Sequence, residues 1–278
     1  MNQLDGHAAL NGCQCNPKGR IIFNFLANAP EAETIQLRLP TEMVEIARKS
    51  LGKYIVFSKA EFTDAYSPII GIEGEQAESL VTTVFGQAPS KDLAISTSKV
   101  GTVIRLSTTR FECWLNAETA SQTWLRLSEL APVAATDQWQ LADIRDGIAN
   151  VFAPTTEEFI PQTLNYGQLN AISFTKGCYT GQEVVARMQY LGKQKRHTYR
   201  GSTKAADLPL PGANLYVQGS QQAAGKVACA AASTNDELEL LMCLSDSAFA
   251  QGAVYLDPEY QTPVHFLELP YDLAESTK

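Results

Sequence analysis

Lys176-Gly177-Cys178-Tyr179-Thr180-Gly181-Gln182-Glu183 is the stretch on which the reading of the whole chain turns. Thr180 followed three residues later by Glu183 matches a capping box. Val184, Val185 and Met188 continue it as the apolar face of a helix that Gly192 ends. Cys178 then stands just before a helix N-terminus, where unpaired backbone N–H groups and the positive end of the dipole favour a thiolate. If Lys176 to Cys178 is extended, both side chains point the same way and an ammonium lies near the thiol. The glycines allow a sharp turn or the close approach of a ligand. Local physics leaves two readings open: an activated thiol, or a strand-to-helix turn whose cysteine is a small buried hydrophobe.

Working outward, Ala8 to Cys15 reads as a strand, and Asn16-Pro17-Lys18-Gly19 has the Asn, Pro and Gly placement of a type I turn before a returning strand at Ile21 to Leu26. A strand at Ile35 to Leu39 is followed by Thr41 as an N-cap, a helix through Leu51 and Gly52 as its stop. Tyr54 to Phe57 then resumes β-structure. Further on, Ile69 to Ile72 reads as a strand, Glu75 to Phe85 as a helix, Val103 to Leu115 as a hairpin and Glu118 to Leu130 as a helix. Helices interleaved with antiparallel pairs indicate an α+β fold with split βαβ, ferredoxin-like modules. Beyond His197 short β-like runs at Leu215 to Val217, Lys226 to Ala230, Leu238 to Cys243, Ala253 to Leu256 and Val264 to Leu267 carry no strong helix pattern, so a small C-terminal β-barrel is expected. The expected division is 1–62 with 136–196 as a first, discontinuous module, 63–135 as a second, and 197–278 as the barrel.

At 278 residues the chain has room for about two domains of ordinary size. Its 45% hydrophobic and 19% charged residues are the reverse of a disordered composition. With 22 basic and 30 acidic residues the net charge is −8, which repels polyanions, so any nucleic-acid contact must be local or indirect. The longest clean apolar run is the six residues from Val227 to Ala232, against about 18 for a membrane span. Met1 to Asn11 has neither the basic start nor the apolar stretch of a secretory signal, so a cytoplasmic location with six reduced thiols is expected.

The eight-residue stretch resembles the signature of the YgfZ family, the folate-binding, tRNA-modification-linked relatives of the glycine cleavage T protein. The resemblance extends through Phe159-Ile160-Pro161-Gln162, Ile172-Ser173-Phe174, Val185-Ala186-Arg187, Cys15 to Arg20 and Lys53 to Lys59. It implies α+β modules around a central folate cavity with a terminal β-barrel. It also implies a tetrahydrofolate-binding accessory protein that supports assembly or repair of iron–sulfur enzymes, among them a radical tRNA-thiomethylating enzyme. By the same resemblance Cys178 is the key thiol with Lys176 beside it, and Gly177, Tyr179, Thr180, Gly181, Gln182, Glu183 and Arg187 support it. Trp139 matches the tryptophan that lines the folate site, where an indole face suits a pterin or aminobenzoyl ring. Where aminomethyltransferase relatives carry a Glu-Ala-Gly turn, this chain has Arg145-Asp146-Gly147, which counts against aminomethyl transfer. Such proteins usually carry some tens of residues before the part matched by Met1 to Asn11, so one wall of the cavity is expected to be missing. Folate-dependent one-carbon transfer and a non-catalytic docking scaffold are the alternative readings.

Three weaker signals complete the sequence. Arg187, Lys193, Lys195, Arg196, His197 and Arg200 form a basic cluster, either a solvated helix end or a contact for an anionic tail, RNA phosphate or acidic partner. Cys13 and Cys15 share a strand face, but two ligands without a second nearby pair do not make a zinc site, and no metal is expected. His7, His197 and His265 show no ligand spacing, and no P-loop, G-x-G-x-x-G, G-x-S-x-G or H-E-x-x-H is present.

Overall fold

A computed structural model describes residues 4–64, 67–174, 176–190, 192, 194–220, 222–233 and 236–273. In chain order the elements are β1 (Leu10–Cys15), β2 (Ile21–Glu31), β3 (Thr34–Arg38), α1 (Val44–Ile55), β4 (Ile69–Glu73), α2 (Ala77–Phe85), β5 (Ile95–Thr97), β6 (Gly101–Ser107), β7 (Arg110–Leu115), α3 (Ala117–Leu130) and α4 (Thr136–Arg145). They continue with α5 (Gln182–Tyr190), β8 (Arg196–Thr203), β9 (Asn214–Val217), β10 (Gly225–Ala232), β11 (Leu238–Ser245), α6 (Asp246–Gln251), β12 (Val254–Tyr255) and β13 (Pro263–Leu267). The chain forms two compact units. One comprises the chain up to Asn11, Phe25–Arg38 and Tyr54–Ala134, and the other Gly12–Asn24, Leu39–Lys53 and the chain from Ala135 onward.

The first unit is built on the antiparallel sheet β4-β7-β6-β5. Alternation along β7 explains its burial throughout: Phe111, Cys113 and Leu115 pack with α2 and α3, while Trp114 on the opposite face joins Ala9, Leu26 and Ile104. Glu112 shares that second face, and a carboxylate only 1% exposed needs partners. Arg38 provides two, with Nε 3.0 Å and Nη2 2.9 Å from the two oxygens, and Trp114 Nε1 donates a third hydrogen bond at 2.7 Å.

The second unit contains a closed six-stranded barrel in the order β10-β11-β8-β13-β12-β9, filled by Leu215, Val217, Val227, Leu240, Met242, Leu244, Val254 and Val264. Leu238 to Ser245 reads as one apolar run because its other face is also covered, with α4 packed on β10 and β11. Glu239 fastens that packing: Arg145 of α4 and Arg200 of β8 donate to its two oxygens at 2.8 and 2.6 Å. Burial pushes the Glu239 carboxyl up, but these hydrogen bonds and charges outweigh it and hold the group below its ordinary value. Among the described residues no helix is long and apolar enough to cross a membrane.

Several local expectations change. Gly52 does not stop the first helix, which runs on to Ile55, where Ser58 Oγ caps the Ile55 carbonyl at 2.9 Å; one glycine costs about 1 kcal/mol and does not outweigh the rest of the helix. Tyr54 to Phe57 is accordingly helix end and turn, not strand. Thr41 is not an N-cap but opens a short 3-10 turn, with Met43 N–H donating to the Pro40 carbonyl. Beyond His197 one short helix does form, α6, capped by Ser245 Oγ accepting from Ala248 N–H at 3.2 Å.

Glu112→Ala should lower the stability of the first unit by about 3 kcal/mol, since it removes the buried carboxylate to which the Arg38 guanidinium and the Trp114 indole N–H both donate. Urea unfolding followed by Trp fluorescence measures it.

Candidate functional site

The turn after β1 is tightly drawn: Gly19 N–H donates to the Asn16 carbonyl at 2.9 Å, and Asn16 Oδ1 accepts from Lys18 and Arg20 N–H at 2.9 and 3.0 Å. Gly19 has φ +72°, and a Cβ there would lie 3.0 Å from Val184 Cβ. Gly181 answers it with φ +83°, and a Cβ on Gly181 would lie 2.5 Å from the Asn16 carbonyl oxygen and 3.0 Å from Gly19 Cα. The two glycines therefore bring the β1–β2 turn and the start of α5 into backbone contact that no other residue permits. Gln162 extends the joint by donating to the Val185 carbonyl at 2.7 Å, and Ile21 N–H donates to the Phe159 carbonyl at 2.8 Å. Residues 16–20, 159–162 and 181–185, far apart in the sequence, thus meet. Here α5 begins at Gln182, one residue later than a Thr180 cap predicts, and Gln182 Oε1 reaches back to accept from Tyr179 N–H at 3.3 Å.

Within this frame the cysteines fall into three groups. Gly177 and Cys178 are exposed, so Cys178 is not the small buried hydrophobe that the local sequence also allowed. Cys113, Cys229 and Cys243 are buried in packed sheet or barrel, and burial pushes the thiols of Cys229 and Cys243 up to about 12 and that of Cys113 higher still. Cys13 and Cys15 make the third group, with their sulfurs 4.0 Å apart. The hydrogen bond from Cys13 lowers the Cys15 thiol and the Lys176 charge adds to it against burial, while the same bond and burial raise Cys13 well above its ordinary value. The two thiols therefore titrate as a pair, with Cys15 the more acidic member.

Lys176 joins the octapeptide to this thiol pair. Its Nζ lies 4.7 Å from the centre of the Tyr179 ring, and its backbone N–H donates to Ser173 Oγ at 3.3 Å. The Tyr179 phenol is raised by burial and then by the charges of Cys15 and Cys13, and its buried hydroxyl has no hydrogen-bond partner among the described residues. The sequence reading weighed Cys13 and Cys15 only as zinc ligands and so missed that they adjoin Lys176 and Tyr179. The available signal was their i, i+2 spacing directly before the Asn16–Gly19 turn.

Trp139 lies half-buried on α4, and one turn further Asp143, 7% exposed, accepts from Asn150 Nδ2 at 3.1 Å. Asn24 completes the chain, donating to Asn150 Oδ1 at 3.0 Å and accepting from Val151 N–H at 2.8 Å. The basic cluster is partly committed: Arg200 to Glu239 and the Glu268 carbonyl, His197 to Asp246 at 3.7 Å; Arg187, Lys195 and Arg196 are exposed, and Lys193 lies outside the described residues. Burial lowers His197 against the pull of Asp246. His197 and Arg200 line a cleft of about 1140 Å³ with Tyr199, Phe249 and Phe266, in which the Tyr199 and Phe249 rings stack at 4.1 Å.

No protein-family model matches the chain. The tRNA-modifying protein YgfZ of Hamiltonella defensa subsp. Acyrthosiphon pisum (strain 5AT) is 33% identical over 216 residues, 74% of this chain. The chain spans 62% of that relative's length. The crystal structure of the glycine cleavage system aminomethyltransferase T from Bartonella henselae superposes with a TM-score of 0.71 over 96% of this chain and 76% of its own, at 13% identity. The α+β fold with a closed terminal barrel is therefore the fold of that protein.

Gly181→Ala should cost about 1–3 kcal/mol, because a Cβ meets backbone on both sides and φ is positive, and calorimetry should show the melting temperature falling by several degrees. Brief alkylation of the native protein should label Cys178 first. Cys113, Cys229 and Cys243 should be labelled only after unfolding, as read by peptide mass spectrometry.

Proposed function

We propose that the chain, 33% identical to a YgfZ protein of which it spans 62%, is a member of the YgfZ family and a tetrahydrofolate-binding accessory protein. It supports assembly or repair of iron–sulfur enzymes, and through one of them, a radical tRNA-thiomethylating enzyme, tRNA modification. The observation that carries this reading is the placing of one exposed thiol, Cys178, on a loop whose other end is locked to the β1–β2 turn through Gly19 and Gly181. A thiol held outside the core on a rigid base suits reaction with a second macromolecule better than with a small ligand enclosed by the fold.

The residues of α4 fit a folate. Trp139 offers a half-buried indole face for stacking, and Asp143, four residues on and so on the same side of the helix, offers a buried carboxylate to the N–H donors of a pterin. Bound tetrahydrofolate would supply an acceptor for one-carbon units. Asn150 and Asn24 hold the Asp143 carboxylate in place, and the Arg145–Glu239–Arg200 pairing holds α4 against the barrel. Arg145 stands where aminomethyltransferase relatives carry a glutamate, and its guanidinium is committed to Glu239, which supports an accessory role over aminomethyl transfer. The net charge of −8 supports a protein partner rather than tRNA itself.

Titration with tetrahydrofolate should quench Trp fluorescence saturably, and Trp139→Ala should weaken binding by tenfold or more with an unchanged circular dichroism spectrum. Cys178→Ala should abolish support of iron–sulfur enzyme activity in a complemented deletion strain while folding and folate binding persist. Unchanged support by that variant would sink the thiol role. Full dependence on Lys195 and Arg196 instead would indicate a docking scaffold.

A further inference from the structure

We propose that Cys13 and Cys15 form a two-thiolate site for a soft monovalent cation of the copper(I) class. The two residues are i and i+2 in β1, so both side chains leave the same face of the strand, and their sulfurs stand 4.0 Å apart. Two steps of extended strand separate the Cα atoms by about 6.6 Å. That lies just inside the upper limit of about 6.8 Å for a disulfide, so a bridge would sit at the stretched end of its range, and the sulfurs stand apart as thiols. An ion bonded to each sulfur at about 2.3 Å needs a separation between about 3.8 Å for a tetrahedral angle and about 4.6 Å for a linear one. The observed 4.0 Å lies within that range without any movement of the strand.

Thiolates select soft ions, and charge decides among them. Cys15 is only 5% exposed, and such a site tolerates little uncompensated charge. Two thiolates and a monovalent ion leave one negative charge, which the nearby Lys176 ammonium balances; a divalent ion would leave a neutral complex facing that ammonium. Zinc also asks for four ligands, whereas among the described residues no third histidine, cysteine, aspartate or glutamate gathers here. The unpartnered Tyr179 hydroxyl is a donor in the same neighbourhood for a metal-bound sulfur. On binding, both sulfurs act as thiolates and the protons they hold pass to solvent. The site depends neither on folate nor on Cys178.

The test is an anaerobic titration of the reduced full chain with acetonitrile-stabilised copper(I), in competition with a bathocuproine chelator. Wild type and Cys178→Ser should each withhold one equivalent from the chelator, and Cys13→Ser or Cys15→Ser should weaken binding by about 100-fold or more. Lys176→Gln should keep the stoichiometry and weaken binding by about tenfold. Retention of the tight equivalent by a Cys13→Ser, Cys15→Ser double variant overturns the proposal, as does its loss in Cys178→Ser. Should the double variant fail to fold, X-ray absorption of the copper-loaded wild type decides: two sulfur neighbours are expected, and nitrogen or oxygen ligands in their place overturn it.

Discussion

The close approach of Gly19 and Gly181 is the constraint from which the thiol region follows. Both residues have positive φ, and each lacks the Cβ that would strike the other's strand or helix. Their contact fixes where α5 starts and holds the Asn16–Gly19 turn against it, and the octapeptide loop between Ser173 and Gln182 inherits its position from that joint. Substitution at either glycine is therefore a displacement of the loop rather than a loss of one contact. Arg20 and Ile21, whose hydrogen bonds to the carbonyls of Glu157, Glu158 and Phe159 continue the seam, spread the same constraint along β2.

Electrostatics then separates cysteines that the sequence presents as equivalent. Burial keeps Cys113, Cys229 and Cys243 protonated, in Cys243 against the pull of Arg196 and Lys226, and these are packing residues. Cys15 is also buried, yet the neighbouring thiol and the Lys176 ammonium overcome the cost of desolvation. In an acidic chain, one lysine placed over an aromatic ring makes a local positive field that the net charge conceals. The same lysine belongs to the octapeptide, so the exposed thiol and the paired thiols share one structural support.

Much of this was legible in the sequence wherever one face of an element decides its form. The barrel strands were found as short apolar runs between turn residues, and the hairpin of β6 and β7 announced itself through Ser107 to Arg110. The first helix was misjudged because Gly52 is a local signal, and the end is set instead by a Ser58 side chain three residues beyond it. In the octapeptide, the spacing of Thr180 and Glu183 suggested a cap, but the left-handed backbone needed at Gly181 moves the helix start past it. The partnership of Lys176 with Cys13 and Cys15 spans some 160 residues of sequence and depends on the two-glycine joint, which no periodicity encodes. What the sequence did hold was the octapeptide itself, through its resemblance to a known family.

The fold shared with aminomethyltransferase T does not by itself assign that enzyme's chemistry to this chain, because activity resides in particular side chains. At the end of α4 the family resemblance sets a carboxylate in the aminomethyltransferases, and this chain sets Arg145. A guanidinium there cannot take up a proton, and its hydrogen bonds run to Glu239 and Ser233. Arg145 acts as support: it clamps α4, and with it Trp139 and Asp143, onto β11. The exposed sulfur, Cys178, stands on the octapeptide loop, and the two sulfurs of Cys13 and Cys15 on β1 lie near the Lys176 ammonium. On the proposed reading, Trp139 and Asp143 present a planar-ligand face on a clamped helix while the exposed Cys178 thiol stands on the octapeptide loop, an arrangement suited to acting on a partner with the small molecule as its companion.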